Sequence, residues 1–193
     1  MSLLRRISFI LLLAFLNASA EILKVSAGKS DASNLVQISC AHAQYRSLCL
    51  RTLSAYASTA KTPSTLAQAA VSVALGRARS ATKFLSNAVK TRSSSKREKA
   101  ALKDCVEQLT DSVDELRESL DELKSLRPGT FRWQMSNVET WVSAALTNED
   151  TCVDGFQDVG RNAKMTVRKK IRTVARVTSN ALYLIDRLAA TRP

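Results

Sequence analysis

Few residues in this chain could carry out chemistry. A single histidine, His42, stands between Cys40 and Cys49. A histidine serves as a general base only with a nucleophile and an orienting group in reach. Here the nearby thiols are better used in a disulfide, which leaves His42 as a surface or packing residue. Asp104, Glu107, Gln108, Asp111, Asp114, Glu115 and Glu118 recur at helical spacing. Two carboxylates of such a set could act as general acid and base, but on the convex wet side of a helix no pocket shifts their pKa values. They read as a solvated face or an interaction surface. The four cysteines, Cys40, Cys49, Cys105 and Cys152, lack the paired spacings of a zinc site, and His42 has no second histidine to join it. The chain therefore reads as a non-enzyme that needs no metal or cofactor.

The cysteines take their meaning from the compartment. Arg5 and Arg6 precede an apolar run from Ile7 to Leu16, and Ala18-Ser19-Ala20 offers a cleavage site before Glu21. That is the pattern of a secretory signal over residues 1–20, with an apolar core too short for a bilayer of about 30 Å. The expectation is a secreted, extracellular protein of residues 21–193 without a membrane anchor. Its one Asn-x-Ser/Thr sequence, Asn17-Ala18-Ser19, falls within the signal. In an oxidising destination an even cysteine count reads as two disulfides. Three pairings exist on paper, and the short interval between Cys40 and Cys49 favours Cys40–Cys49 with Cys105–Cys152.

The elements that must position these residues are helices. With only five glycines and three prolines, turns are few and elements long. Residues 31–60 read as two short helices in a hairpin around Cys40 and Cys49, within an N-terminal extension spanning 21–60. Closing the ten-residue loop stabilises the hairpin by roughly 2.7 kcal/mol on the chain-entropy account. The bundle proper, 61–193, begins at Thr62-Pro63, a helix cap followed by a favoured first helical residue. Small residues then recur at Ala67, Ala70, Ala74, Ala78 and Ala81. The next helix steps by four and three through Leu102, Val106, Leu109, Val113, Leu116, Leu120 and Leu123, with Cys105 at the edge of the stripe, and stops before Arg127-Pro128-Gly129-Thr130.

A third helix places Val138, Trp141, Ala145, Asn148, Cys152 and Phe156 on one side and ends near Asp154-Gly155; Phe131, Trp133 and Trp141 read as core. The last follows Val167, Ile171, Val174, Thr178, Ala181, Ile185 and Leu188, with Arg161, Lys164, Arg168, Lys169, Lys170, Arg172 and Arg176 on its wet side. Four long amphipathic helices with short links imply an all-α, up-and-down four-helix bundle carrying the N-terminal hairpin. Cys152 then reaches Cys105 on the preceding antiparallel helix. That bridge closes about 48 residues and contributes roughly 4 kcal/mol on the same account.

The formal charge is +12, or +10 without the two signal arginines. This favours acidic partners such as anionic wall polysaccharide over nucleic acid. The basic last helix could also meet a membrane surface.

Several words in the sequence resemble the plant invertase and pectin methylesterase inhibitor family across the whole mature chain. They are Tyr45-Arg46-Ser47-Leu48-Cys49 after Cys40, Ala100-Ala101-Leu102-Lys103-Asp104-Cys105, Trp141-Val142-Ser143-Ala144-Ala145-Leu146-Thr147 leading to Thr151-Cys152-Val153-Asp154-Gly155-Phe156, and Thr178-Ser179-Asn180-Ala181-Leu182. Arg46 departs from the family, whose members often carry Pro there. The resemblance implies a four-helix bundle with an N-terminal hairpin, disulfides pairing first with second and third with fourth cysteines, action in the cell wall (apoplast), and one-to-one inhibition of pectin methylesterase or acid invertase. In the pectin methylesterase inhibitors the second to fourth bundle helices cover the substrate cleft. Position matching then puts Glu107, Asp111, Asp114, Thr151 and Asp154 on the binding face. The Pro-Lys-Phe word of invertase-directed members is absent between Gly155 and Val167, and Ser143-Ala144-Ala145-Leu146-Thr147 is closer to the other branch. Pectin methylesterase is the implied partner and acid invertase the alternative; a basic wall-polyanion binder without inhibitory role, in electrostatic contact with pectin, is a third reading. The free protein is expected to be a monomer.

Overall fold

The computed structural model describes residues 35–91 and 95–191. The expected signal at 1–20, with its cleavage before Glu21, and the start of the extension lie outside the described residues. Among the described residues all regular structure is helical: α1 (35–40), α2 (Arg46–Leu53) with a 3₁₀ turn (Ser54–Tyr56), α3 (Pro63–Thr91), α4 (Lys96–Lys124), α5 (Phe131–Asp154) and α6 (Arg161–Ala189). A 29-residue helix is about 43 Å long, and links of a few residues cannot return the chain along that length. Consecutive helices therefore run antiparallel. α4 packs between α3 and α5, and α6 closes the square against α5 and α3.

Local sequence explains the ends. Thr62 and Thr65 cap α3 reciprocally: Thr65 N donates to Thr62 Oγ1 at 3.2 Å and Thr62 N to Thr65 Oγ1 at 3.0 Å. Ser95 caps α4 by accepting from Glu98 N. Between α4 and α5, Arg127-Pro128-Gly129-Thr130 turns through a 3₁₀ segment. Buried Gln134 holds that turn, accepting from Arg127 N and Thr130 Oγ1 while donating to Ser125 O. α5 ends at Asp154, where Gly155 N donates to Thr151 O.

The core is built from the predicted stripes with one shift of phase. Ala67, Ala70, Ala74, Ala78 and Ala81 of α3 are buried, as are Leu102, Leu109 and Leu116 of α4 and the whole α6 series from Val167 to Leu188. On α4, Cys105 lies in the middle of the seam rather than at its edge, and Ser112 and Ser119 share it; Val106 and Leu120 are half-buried. On α5 the seam is Val138, Val142, Ala145, Glu149, Cys152 and Phe156. Trp141 and Asn148, expected there, lie one residue to the side and are half-buried. Trp133, expected in the core, is 67% exposed, whereas Phe131 is buried. Positions 141 and 142 are only 100° apart on the helix, and the smaller valine takes the tight central place.

The disulfides are Cys40–Cys49, within the hairpin, and Cys105–Cys152, between α4 and α5. The hairpin docks on α6 through the buried Asn180. Its Nδ2 donates to Tyr45 O at 3.1 Å and its Oδ1 accepts from Tyr45 N at 3.2 Å. Ser179 Oγ reaches Gln44 Oε1 at 3.1 Å, and the Arg176 guanidinium stacks 5.3 Å from the Tyr45 ring centre. His42 is exposed.

Candidate functional site

Charge is divided between opposite sides of the bundle. Nine acids lie on α4 and four on α5, against seven Lys or Arg on the two helices together. Among the acids, Glu107, Asp111 and Asp114 follow each other at steps of four and three and are all exposed, and Thr151 and Asp154 are exposed at the C-terminal end of α5. Cys105 and Cys152, one turn or less from Glu107 and Thr151, covalently tie the two helices at this level. Thr151 Oγ1 donates to Thr147 O at 2.8 Å, so the hydroxyl is spent on its own helix with lone pairs left outward. Asp114 is paired with Arg117 at 2.8 Å; both are about half exposed, so the pair contributes well under 1 kcal/mol.

Trp133, Asn137, Trp141, Ala144, Asn148 and Thr151 share one side of α5 at steps of four and three. On that side Asn148 Nδ2 donates to Glu115 Oε2 of α4 at 3.0 Å. Burial pushes the Glu115 carboxyl above its ordinary range, the Asn148 hydrogen bond pulls it down, and Asp111, Glu118 and Asp114 push it up again.

Beneath this face lies a group that periodicity did not single out. Glu149 is fully buried, and its Oε1 accepts from Ser112 Oγ on α4 at 2.9 Å and from Thr178 Oγ1 on α6 at 2.9 Å. Burial raises its pKa to about 8; the two hydroxyl bonds work against that rise, while Asp150 and Glu115 add to it. The geometry suits the neutral acid. Both hydroxyls meet Oε1, and Oε2 is buried with no hydrogen-bond partner among the described residues, so an ionised carboxylate would leave its charge there unmet. The stripe position of Glu149, three residues before Cys152 and four after Ala145, and the hydroxyls at seam positions Ser112 and Thr178, were the available signals.

The arrangement offers recognition rather than reaction. Glu149 has the perturbed carboxyl but no access to solvent, and the exposed acids have access but no enclosing pocket. Among the described residues no cluster of His, Cys, Asp and Glu could hold a metal ion, and no helix is long and apolar enough to cross a membrane.

Comparison with known proteins gives this face its context. The profile of the family described as plant invertase/pectin methylesterase inhibitor matches residues 34–184. The chain is 50% identical over 170 residues to pectinesterase inhibitor 3 of Arabidopsis thaliana, covering 84% of this chain and 83% of that protein. It is 41% identical over 175 residues to the 21 kDa protein of Daucus carota, covering 88% and 91%. Its fold superposes on the crystal structure of a mutant form of a pectin methylesterase inhibitor from Arabidopsis with a TM-score of 0.62 at 22% identity, covering 76% of this chain and 92% of that one.

Proposed function

The chain belongs to the plant invertase/pectin methylesterase inhibitor family, a family of inhibitors and not of enzymes, and from that membership we propose that it inhibits pectin methylesterase outside the cell by covering the enzyme's substrate cleft, one inhibitor to one enzyme. The observation that carries this reading is the α4–α5 face. It is strongly acidic and tied across by the Cys105–Cys152 bridge.

The mechanism is steric. A cleft that accepts a polysaccharide is long and open, and a pair of packed helices fills it without any bond being made or broken. Glu107, Asp111 and Asp114 supply charge on α4, and Thr151 and Asp154 supply polar contacts at the end of α5. Trp133, an exposed indole on the same side of α5, adds the kind of apolar anchor that dominates binding energy at interfaces. An interface able to block a cleft buries about 1,200 Å² or more in total. Stiffness matters because each side chain or helix end immobilised on binding costs affinity. The disulfide at one end of the α4–α5 pair and the Gln134-held turn at the other order both ends before the enzyme arrives.

The test is an inhibitor titration of pectin methylesterase activity, with acid invertase titrated in parallel. The reading expects activity to fall to an end point at one equivalent of inhibitor for the esterase and to stay unchanged for the invertase. Inhibition of invertase alone would overturn it.

A further inference from the structure

The side of the bundle away from the acidic face has the opposite charge. α3 and α6 together carry twelve Lys or Arg and one acid, Asp186. The N-terminal hairpin covers one half of the α3–α6 seam: it packs on both helices and is held by Asn180 and Arg176 near the C-terminal half of α6. The other half, residues 77–91 of α3 against 161–174 of α6, contains no acid and is not covered by the hairpin among the described residues. Here lies an open groove of about 390 Å³ lined by Arg77, Ser80 and Phe84 of α3 and by Thr166, Lys169, Lys170, Thr173 and Val174 of α6. The Lys170 ammonium sits 4.9 Å from the Phe84 ring centre, so the one aromatic ring in the groove is framed by positive charge. A second depression lined by Val159, Arg161, Lys164, Met165 and Arg168 lies at the N-terminal end of α6.

We propose that the α3–α6 face between Arg77 and Lys169 is a second binding site, for a linear polysaccharide bearing carboxylates, so that the protein holds de-esterified pectin on one side while its acidic side engages the enzyme. The uncovered stretch of α6 runs about 20 Å, enough for several sugar units. Its cations sit at the repeat of a helix, which suits a flexible chain of regularly spaced carboxylates. The half-buried Phe84 ring holds the Lys170 ammonium over its face and so fixes that cation in the groove where a carboxylate would meet it. A lipid surface fits less well, because an amphipathic helix enters a bilayer through a large apolar side and the only large exposed hydrophobic of the described residues on this stretch is Met165. The choice of a carboxylated polysaccharide over other polyanions rests on the proposed function; the basic groove itself does not. Since pectin methylesterase converts esters to carboxylates, the site would collect the inhibitor where the enzyme has already worked.

The experiment is binding of the full chain to immobilised polygalacturonate, to highly methyl-esterified pectin and to anionic phospholipid vesicles, over a range of NaCl, using wild type, Arg77→Glu/Lys169→Glu and the milder Arg77→Gln/Lys169→Gln. The expected result is about tenfold or tighter preference for polygalacturonate over esterified pectin, with affinity falling steeply as salt screens the charges. The Glu pair should weaken binding by about tenfold or more and the Gln pair by less, with unchanged helical content. Equal binding to both pectins, stronger binding to vesicles, or a Gln pair and a Glu pair that both bind like wild type would overturn the proposal. Esterase inhibition is measured on the same variants. Lost inhibition by the wild type with polygalacturonate binding intact would sink the proposed function and leave this site standing, and the reverse result would do the opposite.

Discussion

Glu149 makes stability depend on pH in a direction that can be worked out. An unfolded glutamate ionises near 4.5, and in the folded protein this one does so at about 8. Between those values the folded state holds a proton that the unfolded state has released, so stability falls as pH rises, by about 1.4 kcal/mol for each unit. The contribution is fully present below 4.5, is lost progressively through 8, and amounts to about 2 to 3 kcal/mol between pH 5 and pH 7. That is a large share of the 5–15 kcal/mol typical of a domain. Glu149→Gln is a neutral side chain of the same shape that cannot ionise. Urea unfolding at pH 5, 6, 7 and 8 with the disulfides intact should show the wild type losing stability across this range and the Gln variant losing about 2 to 3 kcal/mol less between pH 5 and 7. At pH 5 the two proteins should differ by only about 1 kcal/mol from this source. Parallel pH profiles would refute the reasoning, because they would mean that the carboxyl is ionised in the fold or that the site opens to water.

Removing the α4–α5 clamp with Cys105→Ala/Cys152→Ala should cost about 4 kcal/mol of unfolding free energy, read by denaturant titration, and weaken enzyme binding by more than it changes helical content. Asn180→Ala should cost about 2 kcal/mol, since two hydrogen bonds to Tyr45 are lost and its partly buried N–H is left without that acceptor, while Tyr45 O keeps its bond from Cys49 N. Limited proteolysis should then cut near residue 45 well before the bundle. Trp133→Ala should leave thermal stability within about 0.5 kcal/mol, because the ring is mostly exposed, while lowering affinity for pectin methylesterase about tenfold in surface plasmon resonance.

Much of the architecture is readable from periodicity alone. The stripes of α4 and α6, the Thr62-Pro63 and Arg127-Pro128-Gly129-Thr130 boundaries, and the antiparallel order follow from residue types whose local preference agrees with the global fold. What periodicity missed sits where that agreement breaks. Trp141 drew the α5 stripe to itself because a large aromatic is the strongest hydrophobic signal, yet four helices meeting at close range leave room at the centre for Val142 and not for an indole. Glu149 drew no assignment from the sequence, because a carboxyl is rarely buried; it is tolerated only because Ser112 and Thr178 reach it from two other helices, a condition set by tertiary packing. Trp133 reads as core for the same reason as Trp141, yet it stands in the first turn of α5, off the buried seam, and is mostly exposed. For the binding face, the exposure of Glu107, Asp111 and Asp114 is a matter of helical spacing. Their assignment to a partner comes from family words around Cys105 and Cys152, which no local rule supplies.

Whether the acidic α4–α5 face meets pectin methylesterase is decided by calorimetric titration of the enzyme with wild type and with Asp111→Lys/Asp114→Lys. Both side chains are exposed, and Asp114 has only the exposed Arg117 pair to lose, so the fold should tolerate the change. The wild type should bind one-to-one and the variant should lose about tenfold or more in affinity, with its unfolding midpoint little changed. Undiminished affinity in a folded variant would contradict that contact and place the enzyme on another face of the bundle.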